Sequence, residues 1–194
     1  MSRPALAIPV VIFLLSVNAG CDLFQTRQPQ SPGQTKSSFN TPVTPDIVLD
    51  NLKSAFTEYN VDNYMRCFVD TAVRQYEFIP SQETQANYAG VFSHWNLEAE
   101  RQYFVHLGPA TTGTPSLSLI TQSSVVSSDS VTYLISYSLY FPHSRSNVPQ
   151  QVSGNMQISL GTDNQRLWSI YRWQDFKATR DSTWSYWKAV FSGS

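Results

Sequence analysis

Two stretches in the second half of the chain alternate apolar and polar residues step by step, and this narrows the choice of fold more than any other feature. Val131, Tyr133, Ile135, Tyr137, Leu139 and Phe141 fall on one side, with Thr132, Ser136 and Ser138 on the other. Val152, Gly154, Met156, Ile158 and Leu160 repeat the pattern against Gln151, Ser153, Asn155, Gln157 and Ser159. A period of two belongs to a strand with one face in a core and the other in water. Leu117–Val125 and Leu167–Phe176 supply two more strands, joined through Ser127-Ser128-Asp129-Ser130, a longer loop at Pro142–Pro149 and Gly161-Thr162-Asp163-Asn164. Connections this local favour an antiparallel meander. Gly154, among large neighbours, leaves space or marks a bulge.

The first half has a helical period. Thr44-Pro45-Asp46 reads as a helix start, with Thr44 as N-cap, Pro45 where its missing N–H is harmless and Asp46 favoured by the dipole. Val48, Leu52, Ala55, Phe56 and Tyr59 then share one face. A second short helix is expected from Asp62, with Tyr64, Cys67 and Phe68 inward, and Val73–Ile79 has strand character up to Pro80. Ser81–His94 suits one or two helical turns, and Asn96 caps a further helix that ends at Gly108-Pro109. Glu98 and Glu100 lie two apart, so they point to different faces and predict a solvated first turn, not a paired carboxylate site. Near the C-terminus Trp184, Trp187 and Phe191 stand at helical spacing; we expect them to close the fold, with a partner surface as the alternative. Helices packed on one face of a curved antiparallel sheet make a single α+β domain over residues 44–194.

This order of helix, helix, strand, helix and four-strand meander resembles the NTF2-like superfamily, a cone-shaped fold that includes ketosteroid isomerases, polyketide cyclases and many non-catalytic binding modules. The resemblance is carried by the stretch from Leu52 to Asp70, followed by Tyr76-Glu77-Phe78-Ile79-Pro80, and runs to about Lys177. The ending Leu167–Asp175 with Thr183–Lys188 is similar to envelope lipoproteins that carry this fold. In the ketosteroid isomerases a tyrosine on the first helix and an aspartate before the first-strand proline carry the proton chemistry. The matching positions here are Leu52 and Ile79, and Gln150–Leu160 offers no acid for the second carboxyl group. The resemblance thus implies the cone without that mechanism. If the cone is open, Tyr76, Phe78, Tyr133, Tyr137, Met156, Tyr171 and Trp173 are expected to line a cavity for a small apolar or aromatic ligand. The alternative is that they fill the core.

Cys21 sets the expected address. Arg3, an apolar run and the small residues before the cut compose an export signal over residues 1–20. The apolar run is shorter than the roughly 20 residues that a membrane-spanning helix needs. Ala19-Gly20-Cys21 resembles the lipobox of bacterial lipoproteins, which implies a lipidated Cys21 anchored to a bacterial membrane at the periplasmic side or cell surface. Val17-Asn18-Ala19 also satisfies the rule for ordinary secretion, with release at Gly20. Residues 21–43, rich in Gln, Ser, Thr and Pro, read as a disordered tether that holds the domain about 25 Å from its anchor.

The remaining composition excludes more than it proposes. The net charge is −1, and no basic stripe is present, so no nucleic acid is expected. His94, His106 and His143 are scattered without ligand spacing and are given surface or capping roles; neither metal nor cofactor is expected. Cys67 reads as a small buried apolar residue. The expected function is therefore a lipid-anchored, non-catalytic domain that binds a small ligand or a protein partner. A cavity enzyme (isomerase, cyclase or hydrolase) is the runner-up, and a module that forms a homodimer through the sheet is the third class.

Overall fold

The computed structural model describes residues 38–180 and 182–193; the expected signal, Cys21 and most of the expected tether lie outside the described residues. Among these, no helix is long and apolar enough to cross a membrane. The chain runs through α1 (Pro45–Thr57), α2 (Val61–Met65), β1 (Glu77–Ile79), α3 (Gln82–Asn87), α4 (Ala89–Phe92) and α5 (Leu97–Leu107). It continues through β2 (Ser116–Val126), β3 (Ser130–Tyr140), β4 (Gln151–Thr162), β5 (Trp168–Phe176) and α6 (Trp184–Ser192).

The strands form one sheet in the order β1-β5-β4-β3-β2. Strands β2 to β5 are the antiparallel meander that the alternation predicts, and β1 adds to its edge in parallel with β5, so the sheet is mixed. The inward face of β3 and β4 is the predicted one, with Ile135, Leu139, Met156, Ile158 and Leu160 all buried. Strand β5 departs from strict alternation. Ser159 pairs with Arg172 and Leu160 with Ile170, which leaves Tyr171 as an extra residue. Such a bulge shifts the phase of a strand. Ile170, Trp173 and Asp175 therefore face inward, and Tyr171 turns out to lie 4.4 Å beneath the Arg74 guanidinium.

Strand β1 is shorter than the sequence predicts. The backbone N–H groups of Val73 and Arg74 donate to the Asp70 carbonyl, and the Asp70 carboxylate accepts from Ala72 N, so the chain turns there before it can extend. Helix α2 starts one residue early because the Asn60 side chain caps it by accepting from Asn63 N. Thr44 precedes α1 in extended conformation without a side-chain cap, whereas Asn96 caps α5 through Ala99 N as expected.

Helices α1, α2 and α5 pack an aromatic layer onto the sheet. Phe56 sits at its centre, edge-on to Tyr64, Phe104, Phe141 and Trp184, while Tyr64 and Phe104 stack at 4.0 Å. Edge-on and offset rings add to the burial of their area. The residues ahead of α1 join this body. Asn51, buried on α1, accepts from Asn40 N at 2.9 Å and donates to Asn40 O at 2.7 Å, and Trp168 N donates to Pro42 O at 2.8 Å. The Arg66 guanidinium lies 3.7 Å over the Phe39 ring.

Candidate functional site

Inside the cone the inward side chains of α5 and α6 meet. On α5, Glu100 shares the buried stripe with Tyr103, Phe104 and Leu107, three, four and seven residues on. On α6, Lys188 shares a stripe with Trp184, Trp187 and Phe191. Both ionisable side chains are 0 % exposed. They pair bidentately, with Lys188 Nζ at 2.6 Å from Glu100 Oε1 and 2.8 Å from Oε2. The expectation that Glu100 lies in a solvated first turn is thus corrected: the solvated acid of that turn is Glu98, and the helical period carries Glu100 into the core.

Further donors converge on the same carboxylate. Tyr64 from α2 donates to Oε1, while Tyr76 Oη at 3.0 Å and Trp95 Nε1 at 2.8 Å donate to Oε2. A buried charge is tolerable only when its remaining lone pairs are satisfied in this way. Burial and the Glu100 charge push the Tyr64 and Tyr76 hydroxyls well above the ordinary tyrosine range, so both remain protonated donors. The ammonium of Lys188 sits 3.7 Å from the Phe78 ring centre and 4.0 Å from that of Trp173, with Trp95 and Tyr103 at 5.8 and 5.9 Å. Burial draws its pKa down to about 8 against the opposing pull of Glu100.

A second buried carboxylate fastens the start of α6. Asp175 Oδ2 accepts from Ser185 N at 2.7 Å and from the Ser185 hydroxyl, and Oδ1 accepts from Tyr137 Oη at 2.8 Å. Tyr137 Oη in turn accepts from Trp184 N at 2.7 Å. The free N–H groups of a helix start and its dipole both favour a carboxylate placed there. Burial pushes the Asp175 carboxyl above its ordinary value, and its hydrogen bonds pull it back. The room that Gly154 leaves is taken by Tyr137. A Cβ on Gly154 would stand 2.6 Å from both the Tyr137 hydroxyl and the Phe176 carbonyl.

The residues expected to line a cavity separate into groups. Phe78 and Trp173 flank the Lys188 ammonium, Tyr76 reaches Glu100, and Tyr137 reaches Asp175. Met156 is fully buried across from Asp175, and Tyr133 donates to Asp46 Oδ1 at 3.0 Å. Tyr171 lies on the outside through the β5 bulge. Trp173 Nε1 makes no hydrogen bond and stands edge-on to Trp184 at 4.5 Å. Cys67 is buried, and burial pushes its thiol up to about 12, so it stays a thiol. His94 is exposed, and His106 Nδ1 lies 3.0 Å from Phe191 O. His143, in contrast to the surface role expected, is buried edge-on to Trp187 and Phe191. Among the described residues, no cluster of His, Cys, Asp and Glu fits a metal.

Clefts open on the outside. One of about 450 Å³ lies between Phe39, Arg66, Asp70, Asp163 and Trp168, where the chain enters the domain. Another of about 430 Å³ is walled by Tyr76, His94 and Trp95, so Tyr76 and Trp95 stand between it and Glu100.

The architecture is the NTF2-like fold. An NTF2-like superfamily protein from Salmonella enterica aligns with a TM-score of 0.51 at 10 % identity, over 69 % of this chain and 88 % of that one. A conserved protein from Planctomyces limnophilus aligns with a TM-score of 0.51 at 8 % identity, over 68 % and 91 %. No protein-family model and no curated protein matches the sequence.

Proposed function

We propose that this chain is an envelope lipoprotein, held to its membrane by a lipidated Cys21, whose NTF2-like domain acts by binding and not by catalysis. The observation that carries the non-catalytic part is the seating of α6: Trp184, Trp187 and Lys188 fill the interior in which a cone enzyme would hold substrate, and all are 0 % exposed. A catalytic acid or base has to come within hydrogen-bond reach of its substrate. Glu100 and Asp175 instead spend their oxygens on the protein's own donors. Binding then falls to the exterior, where the 450 Å³ cleft suits a small ligand and the sheet face suits a protein.

Two measurements test this reading. The mass of the mature N-terminal peptide is expected to show a diacylglyceryl group on Cys21, and an unmodified start at Gly20 removes the anchor. Hydrogen exchange is expected to show the α6 amides opening only with global unfolding. Opening of α6 at far lower cost than the rest would restore the enzyme reading.

A second reading, a structural homodimer, is favoured by one feature. Ile120, Val125 and Leu134 are 60, 71 and 41 % exposed on the outer face of β2 and β3.

A further inference from the structure

We propose that the interior of the cone is a binding site for a primary alkylammonium group, filled in the native chain by its own Lys188. The case rests on how the site is assembled. A structural ion pair needs one acid facing one base. Here Glu100 is held by three further donors from outside α6: Tyr64 on α2, Tyr76 ahead of β1 and Trp95 ahead of α5. The carboxylate is therefore oriented by groups that remain when the lysine side chain is taken away.

The rest of the pocket has the form of an ammonium receptor. Lys188 Nζ has N–H groups for both Glu100 oxygens, and its remaining surroundings include the faces of Phe78 and Trp173 at 3.7 and 4.0 Å, with Trp95 and Tyr103 farther out. Ring faces attract a cation through their quadrupole, and the attraction strengthens when water is excluded. An alcohol or an alkane gains neither this attraction nor the pairing with a buried carboxylate. A primary ammonium fits the bidentate contact, whereas a quaternary one lacks the N–H groups to make it.

The site is tested by emptying it. Lys188→Ala keeps a good helix former on α6 and removes a chain of the length of n-propylammonium. In matched ionic strength, n-propylammonium chloride is expected to raise the melting temperature of Lys188→Ala saturably, by about 5 °C. It should leave the parent chain, in which the site is filled, and Lys188→Met, in which an apolar chain blocks it, unchanged. 1-Propanol and tetramethylammonium are expected to have no such effect on Lys188→Ala. Glu100→Gln combined with Lys188→Ala is expected to lose the response. Should Lys188→Ala not fold unaided, its refolding yield in n-propylammonium against 1-propanol reads the same preference. Equal rescue by 1-propanol, an undiminished response without the Glu100 charge, or no preference for the ammonium would each overturn the proposal.

Discussion

At the scale of single residues, the fold depends on a cation and an anion that have left water together. Removing one partner of a buried pair strands the other, at a cost of about 3–5 kcal/mol. Lys188→Met is expected to destabilise by that amount in urea denaturation, and Lys188→Met with Glu100→Gln to recover part of it. Additive losses in the double variant would show that the two side chains are not energetically coupled. The same residue predicts a pH dependence. Folding lowers the Lys188 pKa from 10.5 to about 8, so between these values the unfolded chain holds a proton that the folded chain has released. Stability from this group is thus fully present above 10.5 and is lost as pH falls through about 8. The ¹³Cε resonance of Lys188 should titrate near 8 in the folded protein; a midpoint at the ordinary lysine value would refute the shift. Gly154 makes a third residue-scale prediction. Gly154→Ala places a methyl against the Phe176 carbonyl and displaces the Tyr137 hydroxyl from Asp175 and Trp184 N, for an expected loss of about 2–3 kcal/mol in the same denaturation measurement.

At the scale of elements, the strands are legible in the sequence, because a sheet with one face in water writes its geometry as alternation. Strand β3 follows that rule along its whole length, and β4 follows it as far as Ile158, after which Ser159, Leu160 and Gly161 are all buried. Strand β5 follows it until the bulge at Tyr171, which the sequence does not mark, since an extra residue among aromatics leaves no change in composition. The buried site is not legible in the same way. A charged residue within a helical apolar stripe is assigned to the surface by type, although Glu100 stands three and four residues before Tyr103 and Phe104, and Lys188 stands four after Trp184. Period outranks residue type once a partner exists, and the partner here is 88 residues away in the chain. Asp175 was hidden in the same way, inward on a strand whose phase had shifted. The segment ahead of α1 supplies the prediction at this scale. A chain that begins at Ser38 keeps the Asn40–Asn51 pair and the bond from Trp168 N to Pro42 O, whereas one that begins at Thr44 leaves buried Asn51 unsatisfied. The shorter chain is expected to melt several degrees below the longer one, an outcome that equal melting temperatures would exclude.

At the scale of the whole molecule, a surface feature remains that neither the core nor the cone explains. Strand β2 is the edge of the sheet, 11 residues long, with the sequence SLSLITQSSVV. It carries no charge and no proline, two of the usual devices that keep an edge from pairing with another chain, and its one irregularity is a bulge at Gln122. Its outer face shows Ile120 and Val125, beside Leu134 of β3. A second copy of this chain is the occupant that fits best. In an antiparallel pairing about a twofold axis between Gln122 and Ser123, Ile120 meets Val125 on the outer face and Thr121 meets Ser124 on the inner one, and no like charges oppose each other. Extension of two five-stranded sheets into one also satisfies the free N–H and C=O groups of both edges. The Cys21→Ser chain, freed from any lipid, is therefore expected to sediment as a concentration-dependent monomer and dimer. Ile120→Lys and Val125→Lys should give the monomer at every concentration while changing the unfolding free energy by less than about 0.5 kcal/mol, since both side chains are exposed. A parent chain that stays monomeric across the micromolar range would leave β2 a free edge and return the sheet face to a partner of another kind.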